Sequence, residues 1–203
     1  MVIGDSVTYE IQPGLTAALQ HTGLVVSANR TQMGFGLSQW PIFHWWEVWE
    51  PFLEEVRPEA VVVQTGIWDV QAVYGGERRR PRPEDPDWEA QFAFLVGVAL
   101  DVLTADGAHV YWLEGAHIRR EIRPQNHPDR IDGLNGLVRA ATVDLDHVTT
   151  VPYRDFIGAN GTDRERHTRD DGVHLSLGGM AEVADWLVDD VFVESAPSVR
   201  ESG

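Results

Sequence analysis

The stretch Ala60-Val61-Val62-Val63-Gln64-Thr65 is the clearest strand signal in this 203-residue sequence. It is a continuous, largely β-branched run that ends at Gly66. Such runs are typical of a strand in a parallel sheet, where both faces of the strand are buried under helices. The stretch therefore predicts an α/β layer architecture rather than an all-helical or all-β domain.

Strand-like and helical segments alternate on both sides of this run, which supports the same architecture. The predicted strands cover residues 1–3, 24–28, 60–65, 109–113 and 148–152. The predicted helices cover residues 7–21, 42–56, 88–105, 131–143 and 179–193, and residues 29–36 are predicted to form a loop. Parallel strands joined by right-handed crossovers then give a three-layer α/β/α sandwich around a central, mostly parallel five-stranded sheet.

Composition limits the classes of function. With 203 residues and 43% hydrophobic residues, we expect one domain over residues 1–203. The 32 acidic and 16 basic residues give a net charge of −16, so we expect no nucleic-acid partner and no membrane partner. No Cys is present, which excludes disulfides and thiolate catalysis. The sequence has no signal-like or membrane-length apolar run, so we expect a cytoplasmic protein, provided that Met1 is the natural start.

Two segments are predicted to lie outside the packed core. Residues 75–87 are rich in Arg and Pro with almost nothing apolar, and we expect an exposed loop. The arginines at positions 78–82 fit either a solvated loop or a lid that attracts an anionic substrate. Residues 195–203 are predicted to be a disordered tail. Another cluster, the tryptophans at 40, 45, 46 and 49, fits either a substrate-stacking group or core, and we expect at least half of it to be core.

Two motifs at opposite ends of the chain carry the chemistry of a serine nucleophile. Ser6 follows the first strand, and its hydroxyl is a poor nucleophile until a base takes the proton. His174 is the candidate base, and Asp171, three residues earlier, is the candidate that orients its imidazole. A helix N-cap is the alternative role for Ser6. Asp170 is the alternative orienting carboxylate.

The candidate residues are predicted to share one edge of the sheet. Ser6, the glycines at 34–36, the segment 66–69 and the segment 171–174 each come after a predicted strand. Ligands of open parallel sheets bind outside the carboxyl ends of the strands. We therefore expect these four segments to meet in space.

The four segments together resemble the sequence blocks of the SGNH (GDSL-like) hydrolase family over nearly the whole chain. Gly4-Asp5-Ser6 matches the first block, in which the family nucleophile corresponds to Ser6. Gly36 matches the glycine of the second block, with Gly34 as the alternative. Gly66-Ile67-Trp68-Asp69 matches the third block, Gly-x-Asn-Asp. Asp171-Gly172-Val173-His174 matches the final Asp-x-x-His block.

The resemblance implies an oxyanion hole and shows one departure from the family. In the family, the serine N–H, the second-block glycine N–H and the third-block asparagine amide hold the oxyanion. Here the donors would be Ser6, Gly36 and, in the asparagine position, Trp68. The indole N–H of Trp68 is a donor without an acceptor, so it can serve an oxyanion. The alternative is that Trp68 only packs as an aromatic wall.

Three further residues are candidates for the substrate pocket. Asp69 completes the third block, and Asp5 precedes the nucleophile, where bonding the backbone of the turn is its other role. His117 follows the fourth predicted strand and fits either the pocket or a surface loop. The histidines show no metal-site spacing, and we expect no bound metal and no cofactor.

The sequence thus predicts a serine ester hydrolase that acts through an acyl-enzyme on a small-molecule ester or an acylated sugar. An O-acyltransferase that uses a sugar or natural-product hydroxyl in place of water is the alternative enzyme. A binding module of the same fold that has lost turnover is the alternative outside catalysis, and Trp68 is the feature that keeps it open.

Overall fold

The computed structural model describes residues 1–21, 28–40, 43–70, 86–117, 128–158 and 162–192. Its strands are β1 (Val2–Gly4), β2 (Asn29–Thr31), β3 (Ala60–Gln64), β4 (His109–Leu113) and β5 (Val148–Val151). Its α-helices are α1 (Ser6–His21), α2 (Trp46–Val56), α3 (Trp88–Thr104), α4 (Pro128–Thr142), α5 (Tyr153–Ile157), α6 (Thr162–His167) and α7 (Leu177–Trp186). A 3₁₀ turn covers Leu37–Gln39, and a π-helical segment, Leu187–Phe192, extends α7.

The described strands form one parallel sheet in the order β2-β1-β3-β4-β5. The register pairs Gly4 of β1 with Thr31 of β2 and with Gln64 of β3, and it pairs Gln64 with Leu113 of β4. The carboxyl ends of these strands therefore lie side by side. The predicted fold class, an α/β/α sandwich around a parallel five-stranded sheet, is confirmed.

The two faces of the sheet are buried in two separate apolar clusters, as the two-residue period of a strand requires. One face packs against α2, α3 and α4, and the other packs against α1 and α7. The first cluster contains Ile3, Val61, Val63, Val110 and Trp112, whereas the second contains Val2, Val62, Tyr111, Leu113 and Val151. Within the described residues, no helix is both long and apolar enough to cross a membrane.

Two predicted boundaries were wrong. Residues 29–31 form the edge strand β2, not a loop. Helix α2 begins at Trp46, so the predicted start at 42 was wrong over residues 43–45. The N–H of Phe43 donates to Gln39 O at 3.0 Å, and the indole N–H of Trp45 donates to Leu37 O at 3.0 Å, so this segment is tied to the 3₁₀ turn before it.

Other predictions agree with the structure or fall outside its described part. The cores of the remaining predicted strands and helices match to within a few residues at their ends, although α5 and α6 were not predicted. Trp45 and Trp49 are buried, and Trp40 and Trp46 pack against the same cluster, which confirms that at least half of this group is core. The predicted strand at 24–28 (except Ala28), most of the loop at 75–87 and the tail at 195–203 lie outside the described residues.

Candidate active site

The turn between β1 and α1 places Ser6 at the first position of a helix. Gly4 takes a φ of +138°, and a Cβ there would lie 2.4 Å from Gln64 O and 2.5 Å from Thr8 Oγ1, so only glycine fits. Asp5 Oδ1 accepts the N–H of Val7 at 2.9 Å, and Asp5 O accepts the N–H of Tyr9 at 3.0 Å. Asp5 thus caps the helix. The hydroxyl of Ser6 is left for other partners.

Ser6, His174 and Asp171 form a hydrogen-bonded chain. The Nε2 atom of His174 lies 3.0 Å from Ser6 Oγ, and its Nδ1 atom lies 2.7 Å from Asp171 Oδ2. An ionised carboxylate only accepts, so Nδ1 carries the proton that is donated to Asp171. Nε2 of the neutral ring is then the acceptor that faces the Ser6 hydroxyl. This arrangement can remove the proton of a serine nucleophile.

Asp171 also shapes the loop that holds His174. Its Oδ1 accepts the backbone N–H groups of Val173 and His174, each at 2.9 Å. Partial burial alone would raise the pKa of Asp171, but the hydrogen bonds from the His174 ring and from these two backbone groups lower it below its ordinary value. The carboxylate is therefore held in the ionised form that orients the imidazole. Asp170, the alternative orienting residue, is exposed.

The second and third blocks are tied together by Asp69. Its Oδ1 accepts the N–H of Ser38 at 2.8 Å, and a Cβ on Gly36 would lie 2.9 Å from the same oxygen. Gly36 is thus required by close approach, since its extended backbone (φ −159°) is open to any residue. Trp68 lies beside Gly34, where a Cβ would be 3.9 Å from the Trp68 ring. The loop after β2 and the turn after β3 therefore pack against each other.

Three N–H groups at these blocks are the candidate oxyanion donors. The backbone N–H groups of Ser6 and Gly36 and the indole N–H of Trp68 make no hydrogen bond to any residue that the structure describes. Trp68 is half-buried and packs against the cluster between the sheet and α1. Gly34 is the alternative to Gly36, and its carbonyl oxygen accepts a hydrogen bond from Gln39 Nε2 at 2.8 Å.

Asp5 and Asp69, two of the candidates for the substrate pocket, lie inside the protein. Asp5 is 2% exposed and Asp69 is fully buried, and each carboxylate accepts from backbone N–H groups. Burial raises the pKa of Asp5 to about 6, and repulsion from Asp69 adds to the rise against the hydrogen bond from Val7. Asp5 thus supports the backbone after Ser6, and Asp69 supports the backbone at Ser38.

His117 is at the carboxyl end of β4, but its ring is engaged elsewhere. Its Nε2 lies 2.7 Å from Asp132 Oδ1, and Arg154 donates to the same oxygen at 2.5 Å. Against the opposing effect of partial burial, these two partners lower the pKa of Asp132. The structure thus places His117 in a hydrogen-bonded cluster with Asp132 of α4 and Arg154 of α5, and the triad contacts are made by other residues. In the described part of the chain, no group of three His, Asp or Glu side chains is arranged to hold a metal.

Sequence reasoning missed Glu10, which contacts the loop of His174. Glu10 Oε2 accepts the N–H of Leu175 at 2.8 Å, and Oε1 accepts from the guanidinium of Arg169. These partners lie 165 and 159 positions away in the chain. The only sequence signal is that Glu10 follows Ser6 by four residues, which places both on one face of α1.

The fold is shared with solved hydrolases over nearly the whole chain. A lipase/acylhydrolase from Enterococcus faecalis matches with a TM-score of 0.70 and 15% identity, covering 95% of each chain. A GDSL-like lipase from Bacteroides thetaiotaomicron matches with a TM-score of 0.66 and 16% identity, covering 96% of this chain and 87% of that one. The acetyl xylan esterase AlAXEase matches with a TM-score of 0.65 and 20% identity, covering 94% and 98%.

These likenesses confirm the SGNH (GDSL-like) hydrolase fold that the sequence blocks predict. Within that class, residues 1–190 match the family described as "Protein of unknown function (DUF459)", and the chain belongs to this family. No curated protein is significantly similar to the chain in sequence.

Proposed function

We propose that this protein is a serine ester hydrolase with Ser6 as nucleophile, His174 as general base and acid, and Asp171 as the orienting carboxylate. The observation that supports this most directly is the position of the His174 ring, 3.0 Å from Ser6 Oγ and 2.7 Å from Asp171 Oδ2. Two hydrogen bonds on opposite ring nitrogens are what a base needs to accept a proton and stay oriented.

The reaction proceeds in two halves. Ser6 Oγ bonds to the ester carbonyl carbon while its proton moves to His174 Nε2, and the carbonyl electrons move to the oxygen. When the tetrahedral intermediate collapses, the C–O bond to the alcohol breaks and His174 returns the proton to the leaving oxygen. Water then gives a proton to His174 Nε2 as its oxygen bonds to the acyl carbon. When this second tetrahedral intermediate collapses, the bond between the acyl carbon and Ser6 Oγ breaks and His174 returns the proton to Oγ, which releases the carboxylic acid and restores Ser6.

The oxyanion is held by the N–H groups of Ser6 and Gly36 and by the indole N–H of Trp68. Support comes from the lack of hydrogen-bond partners for these three groups among the described residues. The N-terminal position of Ser6 on α1 adds the positive end of a helix dipole. Donors held in place before the reaction stabilise the negative charge without reorganisation.

The substrate class that we propose is a small-molecule ester or an acylated sugar. Support comes from the net charge of −16, which disfavours polyanionic substrates, and from the fold shared with an acetyl xylan esterase and with acylhydrolases. Acyl transfer to an alcohol is the second candidate function. The feature that favours it is Trp68, which stands where the hydrolase family has asparagine.

Hydrolysis of para-nitrophenyl acetate tests the proposal. Ser6→Ala should lower kcat by about 10³–10⁶-fold, the scale seen when a triad member is removed. Ser38→Ala is the matched control, because the Ser38 hydroxyl is buried without a hydrogen-bond partner among the described residues. Equal activity of wild type and Ser6→Ala contradicts the serine mechanism, and absence of activity in wild type on a panel of esters favours the binding module. Adding an acceptor alcohol separates acyl transfer, since a transferase then makes a new ester at the expense of acid.

A further inference from the structure

The side chain of Glu10 connects the helix of Ser6 to the loop of His174. Glu10 follows Ser6 by one turn of α1, a rise of roughly 6 Å. One carboxylate oxygen accepts the N–H of Leu175 at 2.8 Å, directly after His174, and the other accepts from the guanidinium of Arg169. The Glu10 side chain is only 12% exposed, so water competes little for these hydrogen bonds.

Arg169 and Leu175 close the neck of the loop that contains Asp171 and His174. Arg169 Nε donates to Leu175 O at 2.9 Å, and the N–H of Arg169 donates to His174 O at 2.8 Å. Thr168 and Leu175 add an antiparallel bridge. Because Glu10 binds residues on both sides of this neck, it fixes both ends of the loop that contains Asp171 and His174.

We propose that Glu10 is a positioning residue that keeps the His174 imidazole within reach of Ser6 Oγ. The proposal rests on the proposed function. Besides the bond between His174 and Ser6, Glu10 makes two hydrogen bonds from α1 to segment 168–175. A carboxylate that accepts from a guanidinium and from a backbone N–H forms stronger bonds than a hydroxyl and a neutral imidazole do. The stronger connection therefore sets the geometry of the weaker one.

Three variants separate the contributions of Glu10, and a fourth variant serves as the control. Glu10→Ala removes both bonds, and Glu10→Gln keeps a neutral acceptor for the Leu175 N–H. Arg169→Met removes the guanidinium, with its bonds to Glu10 and to Leu175 O, and leaves the bond from the Leu175 N–H to Glu10. Glu182→Ala is the matched control, because the Glu182 carboxylate also joins two elements, through contacts with Arg166 and His167 at 3.2 Å each, but these partners lie outside segment 168–175.

The kinetic test measures kcat and KM for para-nitrophenyl acetate, at a temperature well below the Tm of every variant. Glu10→Ala should lower kcat by about 10–100-fold, since a shift near 1 Å at reacting groups has that effect, with KM nearly unchanged. Arg169→Met and Glu10→Gln should lose less, and Glu182→Ala should keep the wild-type kcat. A Glu10→Ala variant with the kcat of Glu182→Ala overturns the proposal. If Glu10→Ala does not fold, the ranking of Glu10→Gln and Arg169→Met against Glu182→Ala decides.

A second readout does not depend on ester turnover. In the wild type, the Nδ1–H of His174 is bonded to Asp171, and nuclear magnetic resonance reports its exchange with water. Glu10→Ala should speed this exchange, whereas Glu182→Ala should leave it unchanged. If wild-type protein hydrolyses no ester, the proposed function fails and this exchange rate alone decides the role of Glu10. Identical exchange in wild type and Glu10→Ala would then overturn the positioning role.

Discussion

The carboxylate of Asp69 lies so close to Gly36 that a Cβ on Gly36 would be 2.9 Å from Asp69 Oδ1. Asp69 is fully buried, and the same oxygen accepts the N–H of Ser38 at 2.8 Å. The turn after β3 therefore holds the loop after β2, and this contact positions the Gly36 N–H that we assign to the oxyanion.

Replacing Gly36 with Ala should damage both stability and activity. The added methyl must displace a buried carboxylate, and such overpacking costs about 1–3 kcal/mol. Gly97→Ala is the control, because Gly97 lies inside α3 with nothing within 4 Å of its Cβ position. That change should stabilise the protein by about 0.5–1 kcal/mol through helix propensity. Denaturant unfolding of both variants makes the comparison, and equal stabilities would contradict the close contact at Gly36.

Asp5 should make the protein less stable as pH rises from about 4 to about 6. Burial raises the pKa of Asp5 in the folded protein from 3.8 to about 6, so Asp5 ionises at a lower pH in the unfolded chain than in the folded one. The stabilising contribution of Asp5 is therefore fully present below pH 3.8 and is lost as the pH rises through the folded pKa. Asp5→Asn is neutral throughout and keeps an acceptor for Val7. The difference in free energy of unfolding, wild type minus variant, should fall by roughly 2 kcal/mol between pH 4 and pH 7. Parallel curves for the two proteins would rule this out.

Asp171→Asn should lower kcat by about 10²–10⁴-fold, because an amide in place of the carboxylate favours the wrong tautomer of His174. Asp170→Asn is the matched control, since it removes the same charge at the neighbouring position, where the side chain is exposed. Steady-state kinetics on one ester compares them. A larger loss of kcat in Asp170→Asn than in Asp171→Asn would assign the orienting role to Asp170 and contradict the prediction.

Trp68→Phe should lower kcat by about 10–10³-fold, near the scale of losing one oxyanion-hole donor, while keeping an aromatic ring beside Gly34. Trp68→Asn restores a short amide donor and should retain more activity than Trp68→Phe, once melting temperatures correct for lost packing. The opposite order, with Phe tolerated and Asn damaging, would mean that Trp68 is a packing residue only.

Long apolar patterns made most of the fold predictable from sequence. The valine run of β3 and the apolar spacing of α1 and α3 dominate their local structure, so their bounds agree within one or two residues. β2 has no such pattern. Asn29-Arg30-Thr31 is polar and half-buried, and it is a strand because its backbone pairs with β1 at the sheet edge. Backbone pairing of this kind does not require particular side chains, so the sequence pattern does not predict it.

The site was predictable where residues are close in sequence or match ordered blocks. Asp171 and His174 are three residues apart, and Ser6 matches the first block. Glu10 was not predictable, because its partners are far away in the chain and its own position reads as an ordinary helix residue. The burial of Asp5 and Asp69 was missed for a related reason, since both carboxylates are enclosed by segments that only the fold brings together.

The most direct test of the central claim is to locate the adduct of a fluorophosphonate probe on the purified protein by peptide mass spectrometry. The probe reacts with a serine only when a base has activated its hydroxyl. The account predicts one adduct, on Ser6, that is absent from Ser6→Ala and forms much more slowly in His174→Ala. An unmodified Ser6 in wild-type protein, or equal labelling of wild type and Ser6→Ala, would contradict it.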